Sequence, residues 1–188
     1  MVPRNGAELR AMMEFACNYE KGPLAIRYPK ASTAEIDENK SPQLEFGKAY
    51  ILRKGEDVAL FAVGLMVDTA EDVADLLQAK GYSTAVINAR FVKPLDENLI
   101  WQLAADHETI ITIEEGSIGG FGSHVGHFLS DKNLLDSNLK YRSMILPDRF
   151  IDQDKPDLMY KFAGLDAESI ENKILDTLNS KVIIKKTN

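Results

Sequence analysis

The chain contains 188 residues, of which 45% are hydrophobic and 27% charged, and its formal net charge is −7 at pH 7. This composition predicts a globular protein, with one domain of about 150 residues and a smaller additional part. The acidic balance excludes a general nucleic-acid binder, since phosphate neutralisation requires clustered Lys and Arg. No apolar stretch approaches the roughly 20 residues that span a bilayer, and the start MVPRNGAELR has no apolar signal segment. We therefore expect a cytoplasmic protein that contacts neither a membrane nor nucleic acid.

The beginning of the chain differs in pattern from the rest. Residues 7–20 carry Leu9, Met12, Met13 and Ala16 at helical spacing, and Lys21-Gly22-Pro23 ends the pattern. Residues 24–28 predict a short strand, and the polar residues 31–46 predict a linker. Because one helix and one strand cannot bury a core of their own, residues 1–40 are interpreted as the end of a domain. We expect them to be held less securely than the rest of the chain.

The single cysteine, Cys17, excludes a disulfide framework and any multi-cysteine metal site. It lies inside the first predicted helix. We interpret Cys17 as a small buried side chain, because free cysteine behaves as a small apolar residue.

From residue 47 onward, apolar runs alternate with helical patterns. The apolar runs predict strands at 48–53, 58–63, 84–87, 109–113 and 141–146, the first of them at an edge. Four helical patterns are predicted. The first runs from Val67 to Leu77, and the second begins at Pro94 with Leu95, Leu99 and Leu103 inward. The third ends at Leu129, and the fourth carries Ile170, Ile174 and Leu178 on one face. Pro94 is expected at the first helical position, where its missing N–H costs nothing. The alternation predicts an α/β fold with a mostly parallel, mixed sheet and helices on both faces.

A glycine-rich turn follows one predicted strand and opens a helix, with the sequence EEGSIGGFGS at 114–123. Backbone N–H groups bind anions at such places, but Val125 takes the third position of the dinucleotide fingerprint and Gly126 lies one residue too late. The turn from Gly116 to Gly122 is therefore interpreted as one that lets the helix pack closely on the sheet. Glu114 and Glu115 could form a general acid–base pair. Consecutive residues at a strand end point to opposite sides, however, which favours structural roles.

The chain has 3 histidines. His124 and His127 share one side of a predicted helix, but helical zinc sites use a spacing of four residues and a further ligand, so a packed or solvent-facing pair is favoured. His107 ends a helix, where a cation suits the helix dipole. We predict no metal site.

The cluster Arg27-Tyr28-Pro29-Lys30 places two cations beside an aromatic ring at the end of a predicted strand. Ligands of α/β sheets bind at the carboxyl ends of strands. Arg27 or Lys30 is therefore a candidate for holding a phosphate or a carboxylate. Two solvated surface charges are the alternative interpretation.

Four segments resemble one enzyme family in order and spacing. They are GPLAIRYPK at 22–30, NARFVKPLDE at 88–97, TIEEGSIGGFGSHV at 112–125 and LPDRFIDQD at 146–154. The family is that of the 1-deoxy-D-xylulose-5-phosphate synthases, which are relatives of transketolase. The opening, with Met1, Pro3, Glu8 and Leu9, and the ending LDAESIENKI are also similar to this family. The resemblance covers nearly the whole chain.

The resemblance implies that this chain is the carboxyl-terminal portion of a longer, homodimeric enzyme. Residues 1–40 would be the tail of its central, pyrimidine-binding domain, 41–46 a linker, and 47–188 its carboxyl-terminal transketolase domain. Family members bind thiamine diphosphate and magnesium through a Gly-Asp-Gly-type motif and a catalytic glutamate upstream, and no Gly-Asp pair occurs among the 12 glycines here. The resemblance thus implies no catalytic, cofactor-binding or metal residue in this chain, which is expected to be inactive without the rest of its polypeptide.

The family condenses pyruvate, with decarboxylation, and glyceraldehyde 3-phosphate, in isoprenoid and thiamine biosynthesis. In its R-Y-P-R-G pattern the second arginine binds the acceptor phosphate, and Lys30 and Ala31 stand at the last two positions here. Lysine keeps the charge but lacks the planar fork, so the resemblance implies Lys30, with Arg27, as the phosphate site and leaves the acceptor open. The alternatives are another transketolase-like or 2-oxo acid dehydrogenase enzyme and a stand-alone domain that binds a ligand or partner.

Overall fold

The computed structural model of the protein describes residues 1–30 and 43–180. In chain order its elements are α1 (Gly6–Cys17), β1 (Tyr50–Arg53), β2 (Val58–Ala62), α2 (Met66–Ala79), β3 (Thr84–Asn88), α3 (Glu97–Asp106), β4 (Thr109–Ile113), α4 (Phe121–Asp131), β5 (Lys140–Met144), α5 (Pro156–Ala163) and α6 (Ala167–Asn179). A short 3-10 turn, Leu134–Asp136, follows α4. Most of the predicted linker, residues 31–42, lies outside the described residues. In the described ranges no helix is long and apolar enough to cross a membrane.

The described strands form a mixed sheet in the order β1-β3-β2-β4-β5. β1 pairs antiparallel with β3 at one edge, whereas β2 lies parallel between β3 and β4, and β5 lies parallel to β4. Every residue of β2, β3 and β4 is buried, as continuous apolar runs predict for strands covered on both faces.

Helices cover both faces of the sheet. Successive residues of a strand point to opposite faces, so Leu60 and Ile111 pack against α2 and α6. Phe61 and Ile110 pack on the other side against α3 and α4. The α/β architecture with a mixed sheet and two helical layers, and the edge position of its first strand, are confirmed.

Two predicted elements differ from the structure. α3 begins at Glu97 rather than at Pro94, because the Asp96 side chain accepts a hydrogen bond from the Leu99 N–H and caps the helix there. The strand predicted at 24–28 is wrong. The described backbone bonds of this segment go to Met1, which donates to the Ala25 carbonyl at 2.7 Å and accepts from the Arg27 N–H at 2.9 Å. One residue cannot supply the ladder that a strand requires.

The first helix is shorter and better packed than expected. It ends at Cys17, and Met12 on its inner side is 0% exposed. Cys17 itself is exposed, so its interpretation as a buried side chain is wrong. It lies one helical turn beyond the exposed Met13 on the outer face of α1.

Candidate functional site

The carboxyl edge of the sheet is where ligands of α/β folds bind, at the point where the strand order reverses. In this sheet the reversal falls between β2 and β4. At this crevice the strand pairing continues one residue beyond β2, because the Val63 N–H donates to the Ile113 carbonyl at 3.1 Å. Two buried carboxylates, Glu8 and Glu114, lie on either side of it, beyond the ends of β3 and β4.

Glu8 lies beyond the end of β3, where it is 4% exposed and its carboxylate is hydrogen-bonded. It accepts hydrogen bonds from Asn88 Nδ2 at 3.0 and 3.1 Å and from Arg90 Nε at 2.7 Å. Its own N–H donates to the Asn5 side chain, and its Oε2 accepts from the Arg4 N–H at 2.7 Å. These hydrogen bonds fix the start of α1 on the sheet.

Arg90 is the cation that pairs with Glu8, and both side chains are buried. Its φ of 58° lies in the left-handed region, which costs a non-glycine residue of the order of 1 kcal/mol. The Arg90 N–H donates to Asn88 Oδ1 at 3.1 Å, Nη1 donates to the Gln43 carbonyl at 3.1 Å, and the guanidinium lies 5.0 Å from the Tyr50 ring centre. Sequence reasoning missed this pair. The N-x-x-E pattern at 5–8 could have indicated a capping role for Glu8, but its partner lies more than 80 residues away.

Glu114 fills the glycine-rich turn at the start of α4. It is 1% exposed, and its Oε1 accepts a hydrogen bond from the Gly122 N–H at 2.8 Å. A Cβ at Gly116 or Gly120 would lie 2.2 or 2.4 Å from Glu114 Oε2. The chain's own carboxylate therefore occupies the place where an anion would meet the helix N-terminus.

Close packing of α4 on the sheet explains Gly122, as predicted from the turn. A Cβ at Gly122 would lie 2.1 Å from Ser143 Oγ and 2.7 Å from Thr112 Oγ1. Tyr141 joins the same cluster, because its hydroxyl donates to the Gly122 carbonyl at 2.5 Å and lies 2.9 Å from Thr112 Oγ1. Burial, with a smaller contribution from the Glu114 charge, raises the pKa of Tyr141 to about 12.

Glu114 and Glu115 do not share a site. Glu115 faces α5, where it accepts a hydrogen bond from the Tyr160 hydroxyl. Burial, together with this carboxylate, raises the pKa of Tyr160. The two glutamates point to opposite sides of the strand end, so they form no acid–base pair, and each carboxylate has the structural role that the sequence favoured.

The histidines occupy three different settings. His107 caps α3, and its ring nitrogens lie 3.1 Å from the Leu103 carbonyl and 3.0 Å from the Gly55 carbonyl. His124 and His127 border a cavity of about 280 Å³ together with Lys93 and Lys132. Within the described residues, no group of three His, Cys, Asp or Glu side chains converges as metal ligands would.

Arg27 and Lys30 lie on an exposed stretch that follows α1. The backbone of Arg27 is held by Met1, and Val2 in turn donates to the Arg90 carbonyl at 2.9 Å. The stretch is thus tied to the carboxyl edge of the sheet by its backbone, with both cationic side chains facing solvent. Their role in binding a phosphate stays a prediction.

This fold, with its carboxyl edge closed by internal carboxylates, is that of a transketolase-type domain. The chain belongs to the family described as the C-terminal domain of transketolase, whose model matches residues 47–170. A solved structure to which it is similar is described as a split gene transketolase, an inactive beta4 tetramer, with a TM-score of 0.82 and 27% identity. The match covers 94% of this chain and 56% of that one, so the chain spans little more than half the length of this relative.

The transketolase family generally depends on thiamine diphosphate, and the described residues do not fit this cofactor. A diphosphate needs free backbone N–H groups or a metal held by carboxylates. The N-terminus of α4 is occupied by Glu114. The Glu8 carboxylate accepts hydrogen bonds from Asn88 and Arg90 and so does not serve as a metal ligand. No chemical step through the cofactor is therefore assigned to this chain.

Proposed function

We propose that this chain is the carboxyl-terminal part of a 1-deoxy-D-xylulose-5-phosphate synthase. The whole enzyme would decarboxylate pyruvate and join the remaining two-carbon unit to glyceraldehyde 3-phosphate. Its product would feed isoprenoid and thiamine biosynthesis. The family membership and the transketolase-like neighbour support the general class, and the four sequence segments from 22 to 154 support this particular reaction.

In this proposal residues 1–40 are the tail of the central domain, 41–46 a linker, and 47–188 the carboxyl-terminal domain. The family match from residue 47 supports the second boundary. The cofactor, its magnesium and the catalytic groups would be bound by the rest of the polypeptide in a cytoplasmic homodimer. This chain would contribute a rigid third domain and the stretch that carries Arg27 and Lys30.

The observation that carries the proposal is the position of Arg27 and Lys30. Both side chains are exposed on a stretch tied by Met1 and Val2 to the carboxyl edge. A phosphate that approaches this stretch would find two positive charges, one of them on a backbone already held at Arg27, which lowers the entropic cost of binding.

We expect the 188-residue chain to be inactive when it is assayed with pyruvate, glyceraldehyde 3-phosphate, thiamine diphosphate and magnesium. The groups that build transition-state stabilisation would lie elsewhere in the enzyme. Product formation should appear when the chain is joined to the amino-terminal and central domains. Turnover by the chain itself, at rates typical of enzymes, would contradict the domain assignment.

A second candidate is another transketolase-like enzyme, favoured by the neighbour's description and by Lys30-Ala31 in place of the family Arg-Gly. The two candidates differ in the donor that they cleave, since a transketolase takes its two-carbon unit from a ketose phosphate. Assays of the complete enzyme with pyruvate and with xylulose 5-phosphate separate them. Activity with the ketose and none with pyruvate would replace the first proposal by the second.

A further inference from the structure

Arg90 holds the stretch that carries Arg27 and Lys30 through two separate connections. Its carbonyl accepts the Val2 N–H at 2.9 Å, and the neighbouring Met1 exchanges backbone bonds of 2.7 and 2.9 Å with Ala25 and Arg27. Its Nε donates at 2.7 Å to Glu8, which fixes the start of α1. The main chain and side chain of one residue therefore anchor the segment from Met1 to Arg27 at Val2 and at Glu8, and Arg27 is held indirectly through Met1.

The surroundings make this anchor rigid. Val2 packs so closely on the sheet edge that a Cβ at Gly64 would lie 2.7 Å from its Cγ1. Arg4 adds an ion pair to Asp68 at 2.5 Å and another to Glu71 on α2. Because these contacts all reach residues beyond 60, the stretch takes its position from the carboxyl-terminal domain.

The backbone of Arg90 is strained, and its contacts with Val2, Asn88 and Glu8 explain why this strain persists. A φ of 58° is unfavourable for arginine, and such outliers persist only where the surroundings determine them. The bond from the Arg90 N–H to Asn88 Oδ1 at 3.1 Å and the ion pair with Glu8 maintain this conformation. The bend presents the Arg90 carbonyl to Val2 while its side chain reaches Glu8.

We propose that Arg90 is a positioning residue for the acceptor phosphate, acting through Met1 and Glu8 on the stretch that carries Lys30. This inference rests on the proposed function, in which Lys30 binds that phosphate. In this proposal the carboxyl-terminal domain contributes to catalysis without contacting the substrate, because it sets the distance between Lys30 and the reacting carbonyl. Misplacement of a binding group by about 1 Å costs up to about 100-fold in rate.

The test uses the complete enzyme and compares Arg90→Met with Lys30→Ala. Arg90→Met should raise the KM for glyceraldehyde 3-phosphate by about 10- to 100-fold. The rate of pyruvate decarboxylation and the KM for unphosphorylated glyceraldehyde should not change. The double variant Arg90→Met with Lys30→Ala should be no worse than Lys30→Ala, because both act through the same contact. Arg53→Met, which removes the ion pair between β1 and Asp75 on α2, is the matched control.

Folding is tested separately, because Arg90→Met leaves the Glu8 charge buried without its partner. The double variant Glu8→Gln with Arg90→Met removes both charges and should give the same selective loss. In the 188-residue chain, hydrogen exchange should be faster at the Arg27 amide in either variant, and unchanged in β2 (Val58–Ala62).

The outcomes separate the inference from the function on which it rests. An equal rise in KM for both aldehydes would show a general structural role and overturn the inference. A large rise in the acceptor KM for Lys30→Ala with no rise for Arg90→Met would also overturn the inference. That outcome would not contradict the proposed acceptor site at Lys30. An unchanged KM in Lys30→Ala would instead contradict the acceptor site in the proposed function, and the role of Arg90 with it.

Discussion

At the scale of single residues, two glutamates decide what the carboxyl edge can bind. Glu8 and Glu114 occupy the positions beyond β3 and β4 where a ligand's anionic group would meet backbone and cationic donors. Glu8 satisfies donors of Arg4, Asn88 and Arg90, and Glu114 satisfies the Gly122 N–H, which would otherwise be buried without partners. These donors are therefore used within the chain, and binding of small anions is left to residues outside the edge, such as Lys30.

Replacement of Gly122 by alanine tests how closely α4 packs on the sheet. Gly122→Ala should destabilise the fold by about 1–3 kcal/mol, because its Cβ would lie 2.1 Å from Ser143 Oγ and 3.0 Å from Ser143 Cβ. Urea unfolding midpoints measure the effect. Adding Ser143→Ala removes the Oγ and should recover part of the loss. If the double variant is no more stable than Gly122→Ala, close approach of α4 to β5 is not the reason for this glycine.

Tyr141 makes stability depend on alkaline pH. Its pKa is raised by burial to about 12, whereas an unfolded tyrosine ionises near pH 10. The contribution of the neutral phenol is therefore complete below about pH 10 and is lost as the pH rises through about 12. The loss amounts to about 3 kcal/mol.

Tyr141→Phe should be less stable at neutral pH, because the bond to the Gly122 carbonyl is missing, and should lose less stability between pH 10 and 12. Urea unfolding at a series of pH values measures both effects. Tyr28→Phe, at an exposed tyrosine, is the control and should follow the unmodified chain. A Tyr141→Phe variant with the same alkaline slope would contradict the buried, neutral phenol.

At the scale of elements, the long apolar runs were predictable and the short elements were not. β2, β3 and β4 are buried on both faces, so their sequences carry an uninterrupted apolar signal. α5 (Pro156–Ala163) was missed because its 8 residues make only about two helical turns, too few to establish a repeat. The strand predicted at 24–28 shows the opposite error, since an apolar run does not form a strand without a neighbouring ladder.

The packing of α1 on the rest of the domain can be tested with two adjacent methionines. Met12 is 0% exposed and Met13 is 39% exposed, so the two adjacent methionines form a matched pair. Met12→Ala should cost about 2–5 kcal/mol, provided that α1 unfolds together with the sheet, and Met13→Ala about 0.5 kcal/mol or less. Urea unfolding followed by circular dichroism measures both.

Hydrogen exchange shows whether α1 and the sheet are one unit. The sequence prediction is that residues 1–40 are held less securely, whereas the structure buries Val2, Ala11 and Met12 against the domain. Amides of α1 as slow as those of β2 would contradict the sequence prediction. Fast exchange in α1 that Met12→Ala accelerates further, without a change in β2, would show a docked but separately opening helix.

At the scale of the whole molecule, the fold could be predicted from periodicity, and the closure of its edge could not. Alternating strands and helices predict an α/β sheet covered by helices on both faces. That Glu8 meets Arg90 depends on a contact between residues 82 apart, which leaves no local pattern. Glu114 and Gly122 lie in one turn, but its sequence does not say that the carboxylate folds back onto the start of the helix. The candidate site was therefore predicted as a pair of cations, Arg27 and Lys30, without the anchor that holds their stretch.

The final prediction concerns Lys30 in the complete enzyme. If its ammonium binds the acceptor phosphate, Lys30→Ala should raise the KM for glyceraldehyde 3-phosphate by roughly 10- to 150-fold, since one charge-assisted contact is worth about 1.5–3 kcal/mol. Pyruvate decarboxylation precedes acceptor binding and should continue. Lys30→Arg should be tolerated or bind the phosphate more tightly, because it adds the planar fork. Steady-state kinetics with varied acceptor measure both variants, and Lys54→Ala, at another exposed lysine, is the control. An unchanged acceptor KM in Lys30→Ala would make Lys30 a surface charge and would favour a different acceptor.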